Sequence, residues 1–325
     1  MRDFDRLIAR FRQFGGMRLI WEYAKMGMLW VGVKEVIRCA IRGRSFKSVY
    51  PVVTRRIDPL LLSLIGRENE PNLPSVIKEN TQSASSALKG GVGGHEVVWF
   101  CWLQGRENAP ELVKTCLRSL RENVDAEIMV LDESNYGEYV ELPEYIVRKY
   151  RKGIIPPALF SDMLRLELLI RYGGTWIDST VWTSPKVGAK DSKCWQAWQK
   201  IQESELFIYR YFNREGRVEG MSNWFIHAEA GNALLKDVRD MLYAYWHDYN
   251  CTVEYYIFHL FFSHVAKRYP EMIRKMPKGN SYHALWLRDH AEREISKEDW
   301  QKLINNVPFH KLNWRKKVPK NLRGN

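Results

Sequence analysis

From residue 97 onward the chain alternates two hydrophobic patterns. Residues 97–103 (VVWFCWL) are a short, nearly continuous apolar run of β-forming residues, which predicts a buried strand. Leu112, Val113, Cys116, Leu117 and Leu120 then fall at helical spacing across residues 110–123, and Pro110 suits a helix's first turn. Residues 127–131 (EIMVL) predict a second strand, ending at Asp132. Residues 135–150 predict helix in pieces, interrupted at Pro143. Across 161–172, Met163, Leu164, Leu166, Leu168, Leu169 and Ile170 cover most of a helix circumference, which implies deep burial. Gly173-Gly174 closes that helix, and residues 175–182 (TWIDSTVW) predict the next strand. Residues 206–211 and 223–228 predict strands, and 232–249 and 253–269 helices. Strands alternating with helices predict an α/β fold with a mainly parallel central sheet covered on both faces. Ligands of such sheets bind at the carboxyl ends of the strands.

The upstream pattern differs. Phe4, Leu7, Ile8, Phe11 and Phe14 share one helical face, with Arg2, Arg6 and Arg10 away from it. Gly15-Gly16 breaks that helix, and a second apolar and basic stretch runs over 17–44. These features predict a basic amphipathic extension over 1–65. Residues 66–96, rich in Pro, Asn, Ser and Gly, read as a linker to a domain spanning 97–325. Charge follows the same division. Residues 1–56 hold 13 Lys/Arg against 4 Asp/Glu, residues 57–300 hold 30 against 34, and residues 301–325 hold 7 against none. Basic ends on a slightly acidic body disfavour a nucleic-acid partner, which would be met by a basic groove in the body. They suit an anionic membrane surface, with packing on the body or on a partner subunit as the alternative. No run approaches eighteen apolar residues, so no membrane span is expected, nor is a secretory leader. Five scattered cysteines without a CxxC imply a reducing compartment rather than a disulfide or zinc framework. The expected location is cytoplasmic, peripheral on the inner face of the plasma membrane.

The chemistry concentrates in Ser161-Asp162-Met163-Leu164-Arg165 and Tyr172-Gly173-Gly174-Thr175-Trp176-Ile177-Asp178-Ser179-Thr180. Asp162 and Arg165 share a face of an otherwise apolar helix, where a carboxylate and a guanidinium need each other or a polar ligand. The glycines permit a tight turn and close approach of a ligand. The following strand delivers Asp178 at its end, where a divalent cation could bridge carboxylate to diphosphate. The chain has neither GxGxxG nor GxxxxGK[ST].

S-D-x-L-R followed by Y-G-G-x-W-I-D resembles the donor-binding core of DXD-containing sugar transferases, including yeast-type initiating mannosyltransferases and clostridial toxin glucosyltransferases. It is most similar to the bacterial capsular polysaccharide synthesis proteins. The resemblance covers residues 97–182, through W-L-Q-G (102–105), A-P-x-L-V (109–113) and P-P-A-x-F-S-D (156–162), with an echo in H-K-L-N-W-R-K (310–316). It implies a GT-A fold, a single Rossmann-like unit holding a nucleotide sugar, and a retaining glycosyl transfer to a lipid-linked glycan. By the same resemblance Trp102 stacks on the nucleobase, and Gln104 contacts base or ribose. Ser161, Asp162 and Arg165 hold ribose and donor sugar, beside Gly174. Asp178 matches the first Asp of the DXD motif, but the second is Thr180, a poor ligand for Mg²⁺ or Mn²⁺. Either Asp178 holds the cation with help, for which His310 is the candidate, or the metal requirement weakens. Lys311 offers an ammonium to the leaving diphosphate, and Glu254 and His259 are candidates for the acceptor side.

Each assignment has a structural competitor. Asp162–Arg165 reads equally as a buried ion pair, Asp178 as a turn carboxylate and Trp102 as core in a chain with 13 Trp. The competing function is a non-catalytic glycan-binding or scaffolding subunit of a polysaccharide assembly complex.

Overall fold

A computed structural model of the chain describes residues 17–25, 29–30, 96–252, 255–316 and 320–322. The Phe4–Phe14 stripe, nearly all of the linker and Glu254 lie outside the described residues. The chain divides into two compact units, one from Met1–Asn80, Leu142–Met163 and Asp237–Val265, the other from Thr81–Glu141, Leu164–Lys236 and Ala266–Asn325.

In the first unit, helix α1 (Met17–Lys25) exposes Met17, Ile20 and Trp21. Among the described residues the remaining α-helices are α2 (Glu111–Asn123), α3 (Glu144–Arg151), α4 (Pro157–Tyr172), α5 (Lys193–Gln202), α6 (Ala233–Asp248), α7 (Ile257–Val265), α8 (Pro270–Lys275), α9 (Ser281–Asp289) and α10 (Lys297–Asn306). Lys149 of α3 is buried, and its ammonium donates to the carbonyls of Trp246, His247 and Tyr249. A helix leaves its last carbonyls without internal partners, so this cation caps the end of α6 and complements its dipole.

In the second unit five described strands form one sheet in the order β2-β1-β3-β6-β5, with β1 (Val97–Cys101), β2 (Glu127–Leu131), β3 (Gly174–Asp178), β5 (Leu206–Phe212) and β6 (Val218–Ala228). β1 runs parallel to β2 and β3, whereas β6 is antiparallel to both β3 and β5. The sheet is therefore mixed rather than purely parallel: among its described strands, β6 runs against the other four. The reason is local: residues 213–217, with Gly216 at φ 76°, join β5 to β6, and so short a connection links only antiparallel neighbours.

Period-two alternation sends β-strand side chains to two cores. Val98, Phe100, Ile177 and Phe225 join Val113, Leu117 and Leu120 of α2 and Trp198 and Ile201 of α5. Each such side chain withdrawn from water contributes roughly 1.5–3 kcal/mol. On the opposite face Trp99 meets the Tyr172 ring at 5.5 Å, and the Arg165 guanidinium lies 4.9 Å from the Trp176 ring centre. The carboxyl-terminal half of α4 thus covers that face, as its all-round apolar surface requires.

The expected strand over 175–182 is two strands in two sheets. Ser179 and Thr180 form a buried turn, after which β4 (Val181–Thr183) pairs antiparallel with β7 (Phe309–Lys311).

Candidate active site

Asp178 is the last residue of β3 and pairs in register with Cys101, the last residue of its parallel neighbour β1. This is the carboxyl edge of the sheet. Asp178 has the parity of Trp176, so it projects to the face covered by α4. Arg165 reaches it there, with Nη2 3.4 Å from Asp178 Oδ1, while Nη1 donates to the Asn223 carbonyl. The Trp176 indole Nε1 donates to the same Oδ1 at 2.9 Å.

The second cation arrives from far along the chain. The β4–β7 pairing sets Lys311 opposite Val181. Its Nζ donates to Asp178 Oδ2 at 2.7 Å and to Thr180 Oγ1 at 2.8 Å, and Leu312 N–H holds the Thr180 carbonyl at 2.8 Å. The side chain of Asp178 keeps 25% of its surface exposed and that of Lys311 19%, while Arg165 keeps 4%. Burial alone would raise the Asp178 carboxyl, but Lys311 and Arg165 outweigh it and hold the group below the usual carboxylate range. Lys311 keeps part of its surface open at this edge, and a partly open ammonium suits an anion.

The structure thus brings together Arg165, Asp178, Thr180 and Lys311 from the expected set. It adds Trp176 and the Asn223 carbonyl, neither of them among the expected site residues. Tryptophan in a buried strand ordinarily reads as core, and only the i, i+2 spacing to Asp178 hints at a shared face. Ser161 and Asp162 sit on α4 within the other compact unit, where the Ser161 hydroxyl donates to the Ala158 carbonyl at 2.8 Å and Asp162 is buried. His259 lies on α7 in that unit too.

His310 is not brought to Asp178. Adjacent strand residues face opposite ways, so His310 points away from the Lys311 ammonium and packs on Trp182, ring centres 5.3 Å apart. It is fully buried, and burial pushes its imidazole down to about 3, offset slightly by the nearby Val307 carbonyl. Neither ring nitrogen makes a well-formed hydrogen bond. A neutral core histidine is the better description. Among the described residues no group of three or more His, Cys, Asp or Glu side chains is placed to hold a metal ion.

Gly174 serves the backbone. Its φ is 87°, and a Cβ there would lie 2.3 Å from the Val97 carbonyl oxygen. The close approach is thus made by β1.

Trp102 follows β1 and extends its ladder through an N–H bond to the Leu131 carbonyl at 2.9 Å. Half-buried, it contacts the core and meets Trp314 edge-on at 5.9 Å, with its indole N–H buried and unpaired. It also borders a cleft of about 420 Å³ with Arg106, Lys114, Arg118 and Arg121. Gln104 is exposed, and its carbonyl accepts from Asn108.

The sequence pattern of the capsular polysaccharide synthesis protein family matches residues 64–324. The chain belongs to that family. The chain is 27% identical over 223 residues to the O-glycosyltransferase braB of Annulohypoxylon truncatum, covering 64% of this chain and 51% of that protein. It spans about half the length of that curated relative. Among solved structures it is similar to the PaToxG glycosyltransferase, with TM-score 0.32, 14% identity, and coverage of 65% of this chain and 84% of the other. It is also similar to the catalytic domain of alpha-toxin from Clostridium novyi, with TM-score 0.33, 11% identity, and coverage of 84% and 89%.

Proposed function

We propose that this family member is a glycosyltransferase that moves a sugar from a nucleotide-sugar donor onto a glycan acceptor in capsule or surface polysaccharide biosynthesis. The observation that carries the reading is the Arg165–Asp178–Lys311 cluster at the carboxyl edge of the sheet, where the Lys311 ammonium stays partly exposed. In the transfer, the bond from the anomeric carbon to the diphosphate breaks, and its electron pair goes to the leaving phosphate oxygen. The acceptor hydroxyl oxygen bonds to that carbon, and its proton passes to the leaving diphosphate. Negative charge grows on the diphosphate in the transition state, so cations fixed beside it act differentially and lower the barrier. Asp178 holds both cations in place. Trp102, one residue beyond the strand partner of Asp178, offers an aromatic surface for the base. A GT-A arrangement, retention at the anomeric carbon and a lipid-linked acceptor are part of this reading.

A panel of nucleotide sugars offered to the full chain tests it. Turnover of at least one donor to free nucleoside diphosphate is expected. Thr180 in place of a second aspartate favours the scaffold reading, and a chain that neither binds nor turns over any donor would establish that one instead.

The membrane partner rests on α1, where Met17, Ile20 and Trp21 are exposed, and on the 13 basic residues of 1–56. Exposed apolar groups beside basic charge suit the headgroup layer of an anionic bilayer, and among the described residues no helix is long and apolar enough to cross it. Co-sedimentation is expected with vesicles containing anionic phospholipid and is expected to fall in high salt. Equal recovery with neutral vesicles would sink the electrostatic part.

A further inference from the structure

We infer that the Lys311 ammonium takes the place of a divalent cation between the side chains of residues 178 and 180, so that Lys311 and Arg165 hold the donor diphosphate without metal. The inference rests on the glycosyltransferase reading above and deepens it.

The donor set does not fit a divalent ion. Beside a diphosphate, Mg²⁺ or Mn²⁺ takes phosphate oxygens and waters together with one or two protein carboxylates, so at least one carboxylate oxygen must be free to coordinate. Both oxygens of the Asp178 carboxylate are engaged: Oδ1 by Trp176 and Arg165, Oδ2 by Lys311. Thr180 adds a neutral hydroxyl that already accepts from the same ammonium at 2.8 Å. His310, the other ligand suggested by the sequence, faces away and is buried against Trp182.

Lys311 fits the role that the ion would have. Its nitrogen touches Asp178 and Thr180 at once, which is where an ion bridged by positions 178 and 180 would sit. An ammonium has three N–H donors, and two are used here. The third has no protein acceptor among the described residues, and the side chain retains 19% of its surface. A phosphate oxygen is the acceptor that a positive, partly open N–H recruits best. The change at 180 and the presence of lysine at 311 then have one explanation. A second aspartate would attract a metal, whereas a threonine hydroxyl accepts from an ammonium without adding charge.

The test is calorimetric binding of UDP and GDP to the full chain, in EDTA and in MnCl₂, for the wild type, Lys311→Met and Lys311→Arg. For the better-bound nucleotide, wild-type affinity is expected to change by less than about threefold between the two conditions, and Lys311→Met to weaken it by about tenfold or more in both. Lys311→Arg keeps the charge and is expected to retain most of the binding. A wild-type loss of more than about tenfold in EDTA would overturn the inference and leave the glycosyltransferase reading standing. So would unchanged binding by a folded Lys311→Met protein. Should that variant fail to fold, the wild-type comparison decides alone. No binding of either nucleotide by the wild type in either condition, together with no turnover of any nucleotide sugar, overturns the donor site itself, and the inference with it.

Discussion

Asp178→Asn is expected to reduce sugar transfer by about a thousandfold, as measured by release of nucleoside diphosphate from the preferred donor, while the protein stays folded. Asparagine has the size of aspartate, and its amide oxygen can still accept from the Trp176 indole. What it lacks is charge and the second acceptor that Lys311 uses at 2.7 Å. Two cations then face each other across a neutral amide. Arg165 keeps the Asn223 carbonyl as a partner, so it is the more firmly anchored of the two. Lys311, with more exposed surface, is the one free to swing into solvent, and the phosphate contact goes with it. The stability effect is smaller, because the carboxylate is one-quarter exposed and its ion pairs are screened by water. Lys311 and Arg165 hold the Asp178 carboxyl below its ordinary range, so the charged form prevails at neutral pH. Its contribution to stability is therefore present above the unfolded carboxylate range and fades only as acid protonates the folded group. A folded Asp178→Asn protein with wild-type turnover would remove this cluster from the mechanism.

Why half of this arrangement was legible in the sequence follows from what burial does to a pattern. A strand buried on both faces, such as 97–101, shows as an unbroken apolar run, and a helix buried on all sides, such as α4, shows the same way. α4 carries Arg165 and β3 ends at Asp178, and both were readable. Strand direction is a different matter. Period-two alternation is the same for parallel and antiparallel strands, so β6 and β5 could be placed but not oriented. The turn at Ser179-Thr180 was hidden because both residues are buried and flanked by β-formers. Short helices α5, α9 and α10 were not expected from the hydrophobic pattern, and their caps are seen in the structure. Ser192, Asn280 and Ser296 each accept a backbone N–H from the first turn, and Ser296 with Asp299 forms a capping-box-like pair. Lys311 was visible only as part of a motif. No spacing rule connects it to an aspartate 133 positions away, because a three-residue strand pairing sets that contact.

Gly174→Ala is expected to destabilise the protein by about 4 kcal/mol or more, read as a lowered urea midpoint at constant slope. Two costs combine. The residue holds φ at 87°, which an L side chain accepts only with strain of about 1–2 kcal/mol. The added methyl would also sit 2.3 Å from the Val97 carbonyl oxygen and 3.2 Å from its carbon. These are backbone atoms of a buried strand, so no flexible side chain can yield. Gly216 is the control: its φ is 76°, yet nothing lies within 4 Å of its would-be Cβ. Gly216→Ala is expected to show the dihedral cost alone, about 1–2 kcal/mol. Equal losses for the two variants would refute the close approach of β1 and β3. The clash can be relieved only by moving β3 away from β1, and the register between those strands runs through Trp99–Trp176 to Cys101–Asp178. Displacement at the first residue of β3 is thus transmitted to the last, so the Gly174→Ala protein that remains folded is expected to lose transfer activity as well. Gly174 then belongs to the same device as the aspartate: it lets two parallel strands approach closely enough to hold Asp178 where both cations reach it.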